Sequence, residues 1–154
     1  MQNAGPMRID RGIRPARAED AGGMAAVELA CFSTPLTEGA LRRYMQTGYL
    51  KAFVTVLDGT VVGYAGLQQA ADEGYIANIA VLPAWRRKGW GEALLRYLID
   101  YAREEKLSFL TLEVRRSNLP AQALYRKLGF EVVGVRQHYY ARPREDAILM
   151  TLFL

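Results

Sequence analysis

Arg86, Arg87 and Lys88 stand immediately before Gly89-Trp90-Gly91-Glu92, and this basic, glycine-containing run opens a helix. The first backbone N–H groups of a helix have no intrahelical partners, and the helix dipole adds partial positive charge there. An anion is therefore stabilised at such a turn. Gly89 and Gly91 remove side chains that would hold the anion off the backbone, and the three cations add formal charge around it. The ligand this chemistry suits is a phosphate or pyrophosphate. A solvated basic turn is the plainer reading of the same run, and spacing alone does not exclude it.

Before the turn, Ile79, Ala80 and Val81 form an apolar strand that Pro83 stops. After it, Leu94, Leu95, Leu98, Ile99 and Ala102 recur at helical spacing, with Arg96, Asp100 and Glu104 on the wet face. The rest of the chain has to hold this strand–turn–helix unit. With 154 residues, 51% hydrophobic and 23% charged, it is long enough for one domain with its own core. No apolar run nears the roughly 20 residues that span a bilayer, and the N-terminus has no signal-like apolar segment, so a cytoplasmic protein without a membrane partner is expected.

The single cysteine, Cys31, excludes an intrachain disulfide, and no Cys/His cluster has metal-ligand spacing, so no metal is expected. Cys31 sits in an apolar helical pattern and reads as a small buried hydrophobe rather than a reactive thiol. His138, the only histidine, has no nucleophile or acid motif around it and reads as structural or surface. A net charge of +4 suits an anionic cofactor, but an excess this mild is weak support for nucleic acid, and no direct nucleic-acid partner is expected.

Met1 to Gly12, polar and carrying a second methionine at Met7, is set aside as an extension, which leaves residues 13–154 as one domain. Ile13 to Ala16 reads as a first strand. A helix follows from about Glu19 to Phe32, and a second is capped by Thr37. The runs 52–57 and 61–67 flank Asp58-Gly59, a pair suited to a tight primed turn, and make an antiparallel hairpin. Tyr75 to Leu82 is the fourth strand, and Leu107 to Val114 the fifth. A helix joins these two, so they should be parallel. Asn118 can cap a last helix that Gly129 ends. Phe130 to Tyr139 and Ala147 to Phe153 read as final strands, joined by a loop over Tyr140–Asp146. The expected fold is mixed α/β: a mostly antiparallel sheet of about seven strands with four helices on both faces.

Within that frame, Arg86-x-x-Gly89-x-Gly91 after Val81-Leu82-Pro83 resembles the acetyl-CoA signature of the Gcn5-related N-acetyltransferases. The element order is also theirs, so the resemblance runs over nearly all of the chain after about residue 13. It implies that acetyl-CoA is the cofactor, held by Arg86, Arg87, Lys88, Gly89, Trp90, Gly91 and Glu92. It also implies that the fourth and fifth strands splay, with Ile79, Ala80 and Val81 meeting pantetheine by main chain. A backbone N–H near Val81 would polarise the thioester carbonyl.

A second block, Leu112-Glu113-Val114-Arg115-Arg116-Ser117-Asn118 through Tyr125 to Phe130, resembles the RimI-type acetyltransferases, which modify the N-terminal alanine of a small-subunit ribosomal protein. That likeness implies Glu113 as base, Tyr125 as acid, and Asn118 on the pantetheine amide as well as capping its helix; the last segment, His138-Tyr139-Tyr140 through Met150, also resembles the RimI type, which implies Tyr139 and Tyr140 walling a peptide groove. Where that subfamily has Pro-Trp before the second helix, this chain has Pro35-Leu36.

The residues suit those roles. A carboxylate closing an apolar strand is partly desolvated and a better proton acceptor, while a phenol, with an ordinary pKa near 10, lies close to a CoA-like thiol. Glu73 is a rival base. Taken singly, an end-of-strand Glu is usually solvated or ion-paired, and a Tyr on an apolar helix face is usually core. Transfer should be direct, since no cysteine is placed as an acyl carrier. The expected acceptor is a protein or peptide N-terminus, on a ribosomal protein, with the enzyme a monomer or weak homodimer. A small-molecule amine acceptor and a non-enzymatic CoA-binding module are the alternatives.

Overall fold

The structure, a computed structural model, describes residues 12–154. The extension read over Met1–Gly12 therefore lies outside the described residues except for Gly12. The elements in chain order are β1 (Ile13–Pro15), α1 (Ala21–Cys31), α2 (Glu38–Gln46), β2 (Lys51–Leu57), β3 (Thr60–Ala70), β4 (Glu73–Val81), α3 (Trp90–Glu104), β5 (Phe109–Arg115), α4 (Leu119–Lys127), β6 (Glu131–Ala141) and β7 (Arg144–Phe153). Among the described residues no helix is long and apolar enough to cross a membrane.

The strands form one seven-stranded sheet in the order β1-β2-β3-β4-β5-β7-β6. Every neighbouring pair is antiparallel except β4 and β5, which are parallel because α3 carries the chain back across the sheet. Alternation along the strands splits the core in two. Ala52, Val54, Tyr64 and Ala80 pack with Met24 and Val27 of α1 and Leu41 of α2. Phe53, Ala65, Ile76 and Val81 pack with Leu94, Leu95 and Leu98 of α3 and with Leu110, Leu112 and Val114 of β5. Tyr125 and Leu124 of α4 lean on this second cluster. Helices thus cover both faces, as expected. The three fully buried leucines of α3 contribute roughly 1.5–3 kcal/mol each to holding that helix down.

Because Leu110, Leu112 and Val114 face α3, the intervening Thr111, Glu113 and Arg115 face the α1/α2 side. β4 carries a bulge: Leu67 pairs with Ile76 and Gly66 with Asn78, leaving Ala77 extra. The strand therefore changes parity midway, which puts Ile76 and Ile79 on the same face.

Of two connections read from the sequence, one matches and one differs. The Asp58-Gly59 turn is as expected, both residues having positive φ (50° and 76°). The segment read as a loop over Tyr140–Asp146 is instead the end of a hairpin, since Tyr140 pairs with Glu145 and Ala141 with Arg144. Its polar composition reflects an exposed edge strand rather than the absence of one.

Candidate active site

β4 and β5 are joined at only three positions, Glu73–Phe109, Gly74–Leu110 and Tyr75–Thr111. Beyond Tyr75 both strands continue, to Val81 and Arg115, without pairing to each other. A wedge opens between them. It is the mouth of a groove of about 870 Å³ lined by Tyr75–Ile79 of β4, Leu112–Arg115 of β5, Asn118, Tyr125, Tyr139 and Tyr140, together with the α1–α2 connection and the β6–β7 turn. The splay implied by the family resemblance is therefore present. The Leu82 amide donates to Val62 on β3 at 2.8 Å. Amides alternate sides along a strand, so the Val81 N–H points the other way, into the wedge.

Glu113 projects from β5 toward the α1/α2 face, and its side chain is only 6% exposed. Its two oxygens are held from two other strands. The Tyr75 hydroxyl donates to Oε1 at 2.5 Å, and Arg136 Nε of β6 donates to Oε2 at 2.9 Å. A carboxylate has about four acceptor positions, so two remain for another donor. The rival Glu73 stands at the closed side of the wedge, outside the groove lining.

Tyr125 reaches the same groove from α4, on the opposite face of the sheet. Its ring packs against Phe130 at 5.7 Å. Burial pushes its phenol up to about 12, about two units further from a thiol's pKa than the unperturbed phenol expected from sequence. It stays protonated at neutral pH. Asn118 caps α4, its Oδ1 accepting from the Ala121 amide at 3.2 Å, as read from sequence.

Tyr139 lies in β6 as expected and Tyr140 lies there rather than in a loop, beside a bulge in which Arg136 pairs with Ala147 and Tyr140 with Glu145. Their rings meet edge to face at 5.0 Å, and Arg115 sits 4.3 Å from the centre of the Tyr140 ring. Burial pushes the Tyr140 phenol up to about 12. His138, within that bulge, is on the surface, with Nδ1 3.8 Å from Asp146.

At the other end, the 83–91 turn delivers the chain into α3. Gly89 is its N-cap at φ 84°, a conformation that costs a residue with a side chain about 1–2 kcal/mol. At Gly91 an added Cβ would meet one heavy atom within 4 Å, Val81 Cγ2 at an ordinary contact distance of 3.9 Å, so the first turn of the helix is uncrowded. Bare helix amides beside an open cradle are what a pyrophosphate needs. The cradle fits the group.

The side chains around the turn divide. Arg87 has positive φ (64°), and Lys88 lies 5.6 Å from the centre of the Trp85 ring. Arg86 turns back: Nε donates to the Val81 carbonyl at 3.0 Å, and Nη2 lies 3.4 Å from Cys31 Sγ, which itself donates to that carbonyl at 3.4 Å. Arg86 thus ties the turn to the end of β4. Glu92 pairs with Lys127 of α4 and with Arg96, both at 2.9 Å, and these cations, Lys127 first, hold its carboxyl below the usual range. Trp90 packs against the α3-side core as the first residue of the helix.

Several residues that line the groove or bond to its lining carried no signal in the sequence. Cys31, read as a buried hydrophobe, is half-buried and lines the groove. Glu28 looked like one more helical position, and Tyr75 and Arg136 like ordinary strand residues. Glu28 and Tyr75 meet partners 36–50 and 38 residues away, and Arg136 one 23 residues away, which no local pattern encodes.

Comparison with known proteins gives concordant results. Residues 23–130 match the acetyltransferase (GNAT) family. The [ribosomal protein bS18]-alanine N-acetyltransferase of Escherichia coli (strain K12) is 38% identical over 128 residues, covering 82% of this chain and 86% of that protein. The crystal structure of the ribosomal-protein-S18-alanine N-acetyltransferase from Escherichia coli superposes with a TM-score of 0.84 at 35% identity, covering 92% of each chain. A Bacillus subtilis acetyltransferase in complex with CoA, 18% identical, shares the fold at a TM-score of 0.77 over 92% of this chain and 97% of that one.

Proposed function

Because the chain belongs to the GNAT acetyltransferase family, and is an acetyl-CoA-dependent N-acetyltransferase, we propose that its acceptor is a polypeptide α-amine, namely the N-terminal alanine of a ribosomal protein. The observation that carries this reading is the wedge, into which a carboxylate enters from one face of the sheet and a phenol from the other. The names of the similar proteins from Escherichia coli, both alanine N-acetyltransferases of a ribosomal protein, support the choice of acceptor.

When bound, acetyl-CoA supplies the activated acetyl group as a thioester. In this reading, the amides of residues 89–92 at the start of α3 hold its diphosphate. The Val81 N–H is the donor for the carbonyl oxygen on which charge builds, a role worth about 10²–10³ in rate for comparable donors. Glu113 takes the proton of the acceptor ammonium, directly or through water. Arg136 and Tyr75 fix its carboxylate so that a remaining lone pair meets the amine. Tyr125, kept protonated by burial, gives its proton to the departing sulfur. Asn118 meets the pantetheine amide while capping α4, and Tyr139 and Tyr140 flank the incoming peptide. The enzyme works in the cytoplasm as a monomer or weak homodimer, with residues 13–154 as the catalytic domain.

The test is mass spectrometry of peptides after incubation with acetyl-CoA. A peptide with a free N-terminal alanine should gain one acetyl group on its α-amine. Acetylation confined to polyamines or free amino acids would overturn the acceptor assignment.

A further inference from the structure

The mechanism gives Glu28 no proton to move, yet this carboxylate of α1 is only 1% exposed and lines the groove. Burying a carboxylate is costly unless donors meet its oxygens. Three elements supply them. The fully buried Tyr64 of β3 donates its hydroxyl to Oε2, Asn78 of β4 donates Nδ2 to the same oxygen at 3.0 Å, and the Leu36 amide donates to Oε1 at 2.8 Å. Burial, followed by its bond to Glu28, drives the Tyr64 phenol well above its ordinary pKa, so this donor keeps its proton.

Asn78 and Leu36 are what give the arrangement a consequence for catalysis. Asn78 sits beside the β4 bulge on the wall of the wedge. Leu36 belongs to the connection between α1 and α2, of which Phe32, Ser33, Thr34 and Leu36 line the groove. That connection has a second tie, on the surface: Ser33 Oγ donates to the Arg142 carbonyl of the β6–β7 turn at 3.1 Å. One buried carboxylate therefore fastens a wall of the groove to the strand that carries the donor amide. It does so on the face of the sheet from which Glu113 projects.

We infer that Glu28 is a positioning residue for the acceptor: it holds the 32–37 segment in register with β4, so that the incoming amine is presented at a set distance from the cofactor strand. The inference rests on the proposed peptide acceptor entering from the α1/α2 face.

The test is steady-state kinetics on the full chain with acetyl-CoA and a synthetic peptide bearing a free N-terminal alanine. Glu28→Leu keeps the volume and removes both acceptor oxygens; it should raise the peptide KM about tenfold or more, leaving the acetyl-CoA KM within about twofold. Glu28→Gln keeps one acceptor oxygen and should raise the peptide KM by a smaller factor, about three- to fivefold, with the same split; it decides the matter if the leucine variant does not fold. An unchanged peptide KM, or equal rises in both KM values, overturns the inference. If the wild-type enzyme leaves the alanine peptide unmodified, the acceptor assignment fails separately. Hydrogen exchange at the Leu36 amide then judges Glu28: exchange about tenfold faster in Glu28→Leu, which has no acceptor oxygen, supports the anchor, and an unchanged rate overturns it.

Discussion

At the start of α3 the groups proposed to bind the diphosphate are main-chain amides, aimed by the backbone angles of one short turn that has Gly89 at the helix N-cap and Gly91 in its first turn. At the proposed acceptor end they are side chains gathered from α1, β3, β4, β5 and β6: Glu113 is oriented by Tyr75 and Arg136, and Glu28 by Tyr64 and Asn78. The first kind of site tolerates changes of side chain but not the arrival of one. The second is the reverse, since losing one polar atom strands its partner in a poorly solvated place. A diphosphate needs amides and room. An amine that must lose a proton needs a base held at one angle.

That contrast can be broken most forcefully at Glu113. Glu113→Gln preserves the shape and removes the proposed proton acceptor, so kcat should fall about 10²–10⁴-fold while acetyl-CoA still binds. A kcat near the wild-type value, in an assay of thiol release, would move the base elsewhere. Next in size is Tyr125→Phe, expected to lower kcat about a hundredfold with little change in CoA affinity by calorimetry. Burial favours the neutral phenol, which moves its loss of a proton upward, to about 12. The kcat/KM profile should therefore show no basic limb from Tyr125 below about pH 11, and a limb near pH 9 that vanishes in Tyr125→Phe would contradict its environment.

Smaller effects sharpen the other side of the comparison. Gly91→Val points a side chain into the open cradle, so the acetyl-CoA KM should rise about tenfold or more while the melting temperature stays within about 2 °C. Equal loss of stability would show the glycine serving the fold instead. Asn118→Ala removes the α4 cap and should cost about 1 kcal/mol, a drop of about 2–4 °C in melting temperature.

The same contrast explains what could be read before the structure. Main-chain devices have local signatures: Asp58-Gly59 gave the hairpin, Thr37 and Asn118 the caps, and Arg86-x-x-Gly89-x-Gly91 the turn that opens α3. Even there the side chain of Arg86 was hidden, because its partners Val81 and Cys31 are fixed by tertiary packing. Glu113 and Tyr125 were visible only through family resemblance. The strand periodicity explains why Glu113 faces α1, but nothing local reports that Arg136 comes to meet it. The end of the β6–β7 hairpin was missed because an exposed edge strand carries the composition of a loop.

The three-rung junction of β4 with β5 has a mechanical consequence. The ladders from β2 to β4 and from β5 through β7 to β6 are long and antiparallel, so the sheet is perforated along one line across its middle. α3, which rests on β2, β3, β4 and β5, is the staple across that line. Denaturant should tear the molecule there first, and whatever fills the slot from the wedge side mends it. The loaded enzyme should therefore be the tougher one, by about 2.7 kcal/mol at a ligand concentration one hundred times its Kd.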